Sequence, residues 1–356
     1  MDFIIDLMRT QQQLSPEEIE DLKEKRDEFT IPKKKLKIYY EFQLGDGASS
    51  TVYIGFIYGK SPLAVAANLV ATQRFQDCKV AVKVPSTFGS DESEQLFREI
   101  DSMKKIGYHQ NVICMLGVCF LDEKPVVAFE LADKDFTLPT SVVHSTCITL
   151  HDDDLFKDHQ QQSASPMQDQ KWLNVIRLLL LLISLFYFIK NLGMQFIASK
   201  HIVHRDLAAR NILLTDSFNA KISDFGLSCY MGNSVLEQEY PPKKLPYKWL
   251  SIEALVSKIF SEKSDVWAFG VLMFEVFSLG QVPYTGLILE ELVDYLKAGN
   301  RLLCPEAANE KIYEIMLDCW KEDPEERPTF EALASRFYVI LADATKSYGY
   351  VESKKE

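Results

Sequence analysis

Positive charge is in short supply. The 356-residue chain sets 39 lysines and arginines against 51 aspartates and glutamates, a net charge of −12. That balance argues against a nucleic-acid partner, which needs a basic face. Cysteine is sparse and scattered, with 7 in all. None stands in a CxxC pair or a His/Cys cluster, so reduced buried thiols are expected in place of disulfides or zinc. A membrane span is also missing. The apolar run Leu178 to Ile189 is twelve residues with Ser184 inside it. As a helix it reaches roughly 18 Å, against a hydrocarbon core of about 30 Å. "MDFIIDLMRT" has acids early and no small-residue cleavage site, so no secretory signal is read there. No internal repeat shows. These absences point to a soluble, cytoplasmic protein.

What is present describes two lobes. At 47% hydrophobic and 25% charged, a chain of this length can bury two cores. Residues 1–35 are charged, with a helix start at Ser15 and Pro16. From Lys37 to Glu130 short β-type runs dominate ("KIYYEFQLG", "STVYIGFIYG", "KVAVKVP", "KPVVAFEL"), broken by one helical segment, "SEQLFREIDSMKKIG". A polar stretch after Asp133 reads as an exposed insertion, and everything from Trp172 onward reads mostly helical. A small β-rich lobe followed by a larger helical one is an α+β arrangement.

Several residue patterns carry chemistry. "LGDGASSTV" (Leu44–Val52) joins two predicted strands, and its glycines let backbone approach a polyphosphate without Cβ interference. In "KVAVKVP", alternation puts Val80, Val82 and Val84 on one face and Ala81 and Lys83 on the other. The next helix has an apolar stripe of Leu96, Ile100 and Met103, with Glu99 on it. An inward carboxylate needs a partner, and Lys83 is the natural one. Further on, "HIVHRDLAARNILL" and "KISDFGLS" bring Asp206, Asn211 and Asp224 close in sequence. Hard oxygen donors of this kind suit magnesium carrying phosphates, and Asp206 can accept a hydroxyl proton.

In order along the chain, "VAVK", "FREI", "HRDLAARN", "DFGLS", "LPYKW", "SDVWAFG" and "CWKEDPEERPTF" closely resemble the protein kinases. "HRDLAARN" and "LPYKWL" look like the tyrosine-specific branch, and "FTIPKKKLKI" is similar to the segment preceding the kinase domain of growth-factor receptors. The resemblance implies a two-lobed kinase fold, ATP with Mg²⁺ (or Mn²⁺) as cofactors, and tyrosine-bearing proteins as substrates. It implies Asp206 as catalytic base, Lys83 on the α/β-phosphates paired with Glu99, and Asn211 and Asp224 as metal ligands. Nucleotide contacts would come from Leu44, Gly45, Gly47, Ser50, Val52, Ala81, Lys83, Glu130, Ala132 and Leu213, with Phe129 as gatekeeper. Glu253 should pair with Arg327, and Asp265 should brace the catalytic loop. Tyr240 is the expected autophosphorylation site, and Tyr348 and Tyr350 are candidate docking points for phosphotyrosine-binding adaptors.

The expected boundaries are a leading segment over 1–35, a kinase domain over 36–342 and a tail over 343–356. Within the domain the N-lobe spans 36–132 and the C-lobe 133–342, with an insert about 134–175. Two departures stand out. Ser50 replaces the third glycine of the loop, which should relax its closure. "SPLAVAANLVATQRFQD" lengthens the connection between the second and third strands and is expected to be peripheral. The apolar run remains open between an unusual core helix and a translated intron over Val175 to Leu192. An inactive scaffold of the same fold, and the catalytic fragment of a receptor, stay as alternatives.

Overall fold

The computed structural model describes residues 28–46, 50–86, 90–121, 124–132, 193–215, 219–231, 236–237 and 245–347. The insert, the apolar run, Gly47, Tyr240, Tyr348 and Tyr350 therefore lie outside the described residues. The chain divides into two compact units, Met1–Tyr108 with Ile113–Leu131, and His109–Val112 with Ala132–Glu356.

The first unit is built on an antiparallel sheet of five strands: β1 Leu36–Asp46, β2 Ser50–Lys60, β3 Gln76–Pro85, β4 Met115–Leu121 and β5 Lys124–Glu130. Their order across the sheet is β1-β2-β3-β5-β4. The alternation read from "KVAVKVP" holds where it matters. Val80 and Val82 are fully buried, while Ala81 and Lys83 stand opposite Ile54 and Val52 of β2. Helix α2, Ser90–Ile106, buries Leu96, Ile100 and Met103 along one stripe. Gly107 ends it at φ +67°, its N–H closing on Met103 O at 2.9 Å, a left-handed cap that glycine takes without a Cβ penalty.

One sequence expectation needs correction here. The long β2–β3 connection is not peripheral. Its Ser61-Pro62 start, the same signal noted at Ser15-Pro16, opens a short helix α1, Pro62–Ala67, with the Ser61 hydroxyl accepting from the Ala64 amide. Leu63 and Ala64 are buried, and Pro62 presses on Gly117 of β4. Residues ahead of β1 also join the sheet. Phe29 and Ile31 are buried, and Ile31 N and Val118 N bond across to Val118 O and Phe29 O, adding a short parallel bridge at the β4 edge. Hydrophobic burial of those two side chains ties the segment to the sheet.

The second unit has helices α3 Gly193–Ser199, α4 Ile252–Ser257, α5 Glu262–Phe277, α6 Leu289–Lys297, α7 Glu310–Cys319 and α8 Phe330–Ser347. Short strand pairs accompany them: β6 Ile202–Val203 with β9 Cys229–Tyr230, and β7 Ile212–Leu214 with β8 Ala220–Ile222. Helix α5 is its centre. Every residue from Ser264 to Phe277 is buried, so the helix is apolar nearly all round, as an internal helix should be. Ser261 and Ser264 cap it reciprocally. Gly270 allows α7 to close, for a Cβ there would sit 2.6 Å from Trp320 Nε1. Residues His109–Val112 also belong to this unit: Asn111 Nδ2 donates to Ala220 O at 2.9 Å, and Asn111 O accepts from Ile222 N at 2.8 Å. The expected tail start at 343 falls inside α8, which continues to Ser347.

Candidate active site

Each unit presents its own set of functional side chains. On the first, the two periodicities converge as expected. Lys83 Nζ lies 3.0 and 2.8 Å from the two oxygens of Glu99, a two-point ion pair with the carboxylate buried. Helix α2 supplies the acid and β3 the base, so the pair fixes that helix against the sheet. Val52 is the register partner of Lys83, and Ser50 opens β2 opposite Pro85. Leu44 is half-buried and Gly45 exposed near the end of β1.

Glu130, at the end of β5, is more occupied than the sequence indicates. Its backbone N–H donates to Cys114 O, and its carboxylate accepts from Cys114 N at 2.9 Å. The other carboxylate oxygen takes Arg74 Nη2 at 2.9 Å. Arg74 comes from the inserted connection, which thus reaches a residue expected at the nucleotide. Arg74 is itself exposed, so the pair is worth little energetically but does fix where the Glu130 side chain goes.

On the second unit, the segment from His204 to Asn211 is shaped by two buried acids of α5. Asp265 accepts the amides of His204 (2.7 Å) and Arg205 (3.0 Å), and Glu275 accepts that of Ala209 (2.9 Å). Between these anchors Arg205 adopts φ +63°, and Asp224 in the facing segment adopts +62°. Two non-glycine residues in the left-handed region, one of them the expected metal ligand Asp224, mark a backbone held by its surroundings.

Asp206 is buried and its carboxylate is paired with the Arg210 guanidinium. Burial pushes its carboxyl up to about 6; Arg210 opposes the rise and Asp224 adds to it. Arg210 lies over the Trp249 ring at 4.5 Å, and Trp249 Nε1 donates to Glu275 at 2.9 Å. Asn211 Nδ2 donates to the Asp206 carbonyl at 2.7 Å, which commits the amide nitrogen and leaves its oxygen as an acceptor. Asp224 is exposed, its Oδ1 accepting from Gly226 N at 3.3 Å. Phe225 is fully buried against His204, ring centroids 4.8 Å apart. Burial holds His204 neutral by lowering it to about 4 and raises Asp265 to about 7 against its two amide donors. Leu213 sits on β7 opposite Lys221, and Ala132 is half-buried.

An amide oxygen and an exposed carboxylate are a hard-oxygen donor set. Among the described residues no group of three His, Cys, Asp or Glu side chains gathers to hold a metal. A cation here would need further oxygens, which suits magnesium carried on phosphates. The residues therefore fit that ion. The sequence reading missed Glu275 and Trp249 as supports and Arg74 altogether. Glu275 carried a signal, being the lone acid in the apolar run "VWAFGVLMFEVF".

A β-rich unit with a lysine–glutamate pair, and a helical unit with a braced acid, amide and carboxylate, are consistent with the two-lobed kinase fold that the motifs imply. Comparison with known proteins agrees. Residues 38–337 match the profile of the protein tyrosine and serine/threonine kinase family, and the chain belongs to it. It is 36% identical over 339 residues to a Caenorhabditis elegans protein named as a tyrosine-protein kinase, covering 93% of this chain and 37% of that one. It is 35% identical over 261 residues to a fibroblast growth factor receptor of Halocynthia roretzi, covering 70% of this chain and 32% of that one. Against fibroblast growth factor receptor 1 of Xenopus laevis it is 35% identical over 295 residues, covering 80% and 33%. The chain thus matches about a third of the length of these relatives.

Proposed function

We propose that the protein transfers the γ-phosphate of ATP to tyrosine hydroxyls of proteins. The observation that carries this is Asp206: a buried carboxylate raised to about 6, fixed by Arg210 and by a loop whose amides are tied to α5. A base with its pKa near operating pH is deprotonated when needed yet still accepts a proton in the transition state. In this reading Lys83, oriented by Glu99, holds the α/β-phosphates, and the Leu44–Val52 turn covers them with backbone N–H groups. Asn211 and Asp224 supply the metal's protein oxygens. Held by these residues, magnesium would offset negative charge on the phosphates. Arg210 and Trp249 form the floor on which the acceptor tyrosine is presented to Asp206. Phosphate on Tyr240 is received by Arg205, with Lys243 and Lys244 assisting, which orders the loop before "LPYKW".

The test is phosphorylation of poly(Glu,Tyr) by the full chain with Mg-ATP, wild type against Asp206→Asn, with mass spectrometry of Tyr240. Activity lost in the Asp206 variant and retained in the wild type supports the reading. A wild-type chain that binds nucleotide but transfers no phosphate would instead be an inactive scaffold, consistent with Ser50 in the loop.

A further inference from the structure

Two stretches of the chain hold no residue assigned to that chemistry: "IPKKKLK" and the first part of the insertion, "SPLAVAANLVAT". The topology brings them together. Leu36 pairs with Ile57 at one end of the β1–β2 ladder and Asp46 with Thr51 at the other. The start of β1 and the end of β2 therefore share the sheet end opposite the glycine turn. A 3-10 turn, Lys33–Lys35, lies just before β1, and Lys60 and α1 follow at the end of β2. Lys35 Nζ is 3.7 Å from where a Cβ on Gly59 would sit. Ile31 and Pro62 both pack on Gly117 of β4, and Lys33 is near enough to Cys119 to act on its thiol by charge.

The surface so formed is predominantly positive and has a greasy tip. Lys33, Lys34, Lys35 and Lys60 are exposed. In a chain of net charge −12, no acid occurs from Thr30 to Tyr40 or from Ser61 to Gln76. The acids that flank these stretches are Glu28, Glu41 and Asp77, and Asp77 accepts from the Gly59 amide. In the connection that follows Lys60, Val65, Leu69 and Val70 are 64%, 47% and 93% exposed. The tip is held in place and is not frayed. Leu63, Ala64 and Thr72 are buried beneath it, Asn68 turns the chain at φ +48°, and the Thr72 hydroxyl bonds to both Leu69 N and Leu69 O.

We infer that this end of the first unit docks on an anionic lipid surface. The lysines meet lipid phosphates, and Val65, Leu69 and Val70 enter between the headgroups. A protruding aliphatic tip suits a fluid lipid surface; an acidic peptide would satisfy the lysines and leave Val70 in water. The glycine turn, at the opposite sheet end, stays clear of the lipid.

The full chain is co-sedimented with phosphatidylcholine vesicles with and without phosphatidylserine, and separately titrated with polyglutamate. Binding is expected only with phosphatidylserine, and salt should weaken it. The triple variant Lys33→Ala, Lys34→Ala, Lys35→Ala should bind on the order of a hundredfold more weakly, at about fivefold per lysine. Leu69→Ser with Val70→Ser should cost roughly tenfold. All five side chains lie outside the catalytic set, so phosphorylation of free peptide and the melting temperature should stay at wild-type values. The inference is overturned if the wild-type chain does not sediment with phosphatidylserine vesicles, or if the triple variant binds as well as wild type. It is also overturned if polyglutamate binds as tightly and indifferently to Leu69 and Val70, which would assign the surface to an acidic protein.

Discussion

Removing the Glu253 carboxylate should destabilise the second unit far more than a surface ion pair would. Arg327 is 2% exposed, and all five of its N–H groups are used. Two meet Glu253 at 2.7 and 2.9 Å, and the others meet the carbonyls of Lys321, Lys263 and Glu322 at 2.8, 3.0 and 3.2 Å. The guanidinium also lies over the Trp267 ring at 5.0 Å. Glu253→Ala therefore strands two charged donors and a buried cation. Breaking a buried pair costs about 3–5 kcal/mol. Glu253 keeps some contact with water and three carbonyls still hold the arginine, which places the loss near the lower limit, about 3 kcal/mol. For a unit of this size that is a fall in Tm of roughly 6–12 °C. Urea unfolding followed by tryptophan fluorescence and, separately, by circular dichroism measures it, the second probe testing whether the two units unfold together. A loss below about 1 kcal/mol, the range of exposed pairs, would refute the account of a desolvated clamp.

Lys83→Met should abolish phosphoryl transfer while the chain remains folded, because Glu99 loses its partner and the phosphates lose their anchor; substantial transfer by the folded variant would overturn the assignment. The pH profile of kcat/KM on a tyrosine peptide should rise through about 6, where Asp206 loses its proton, and an ascending limb centred near 4 would contradict its burial. Stability should show opposing trends. Asp206 and Asp265 keep protons in the fold that the unfolded chain has already released, so their contribution declines as pH rises from about 4 to about 7. His204 stays neutral in the fold down to about 4, so its contribution grows from there to its ordinary value of 6.5. Asp265→Asn should flatten the first trend in melting experiments across that window. Gly270→Ala should cost roughly 1–3 kcal/mol in urea unfolding, since its Cβ would meet Trp320 and Cys319 within 3 Å and α7 would have to move.

The Lys83–Glu99 pair was legible in the sequence because two independent periodicities demanded it. A period of two turns Lys83 off the buried valine face, and a period of 3.6 sets Glu99 on the apolar stripe of α2. Glu253 with Arg327 was legible only through resemblance, since nothing in their 74-residue separation announces contact. The insertion carried a local signal that was passed over: Ser61 and Pro62 begin a helix just as Ser15 and Pro16 are read to do. What no local signal conveys is the destination of Arg74, whose partner Glu130 stands 56 residues away. A six-residue helix buries too little for its docking to be inferred from pattern alone.

Helix α5 shows where such reading reaches its limit. Its sequence is apolar almost throughout, and Asp265 and Glu275 interrupt it ten residues apart. A buried acid always raises the question of a partner, and the natural search is for a cation. Neither acid has a cation as its principal partner. Asp265 is bonded by the amides of His204 and Arg205, and Glu275 by the amide of Ala209 and the indole of Trp249. A backbone amide belongs to every residue but proline, so the partner leaves no mark in the sequence. Side-chain pairs are written in both members; side-chain-to-backbone braces are written in one. That asymmetry falls on the loop that carries Asp206. The residue types of the proposed chemistry were readable, whereas the bonds that hold their backbone in position had to be seen in the fold.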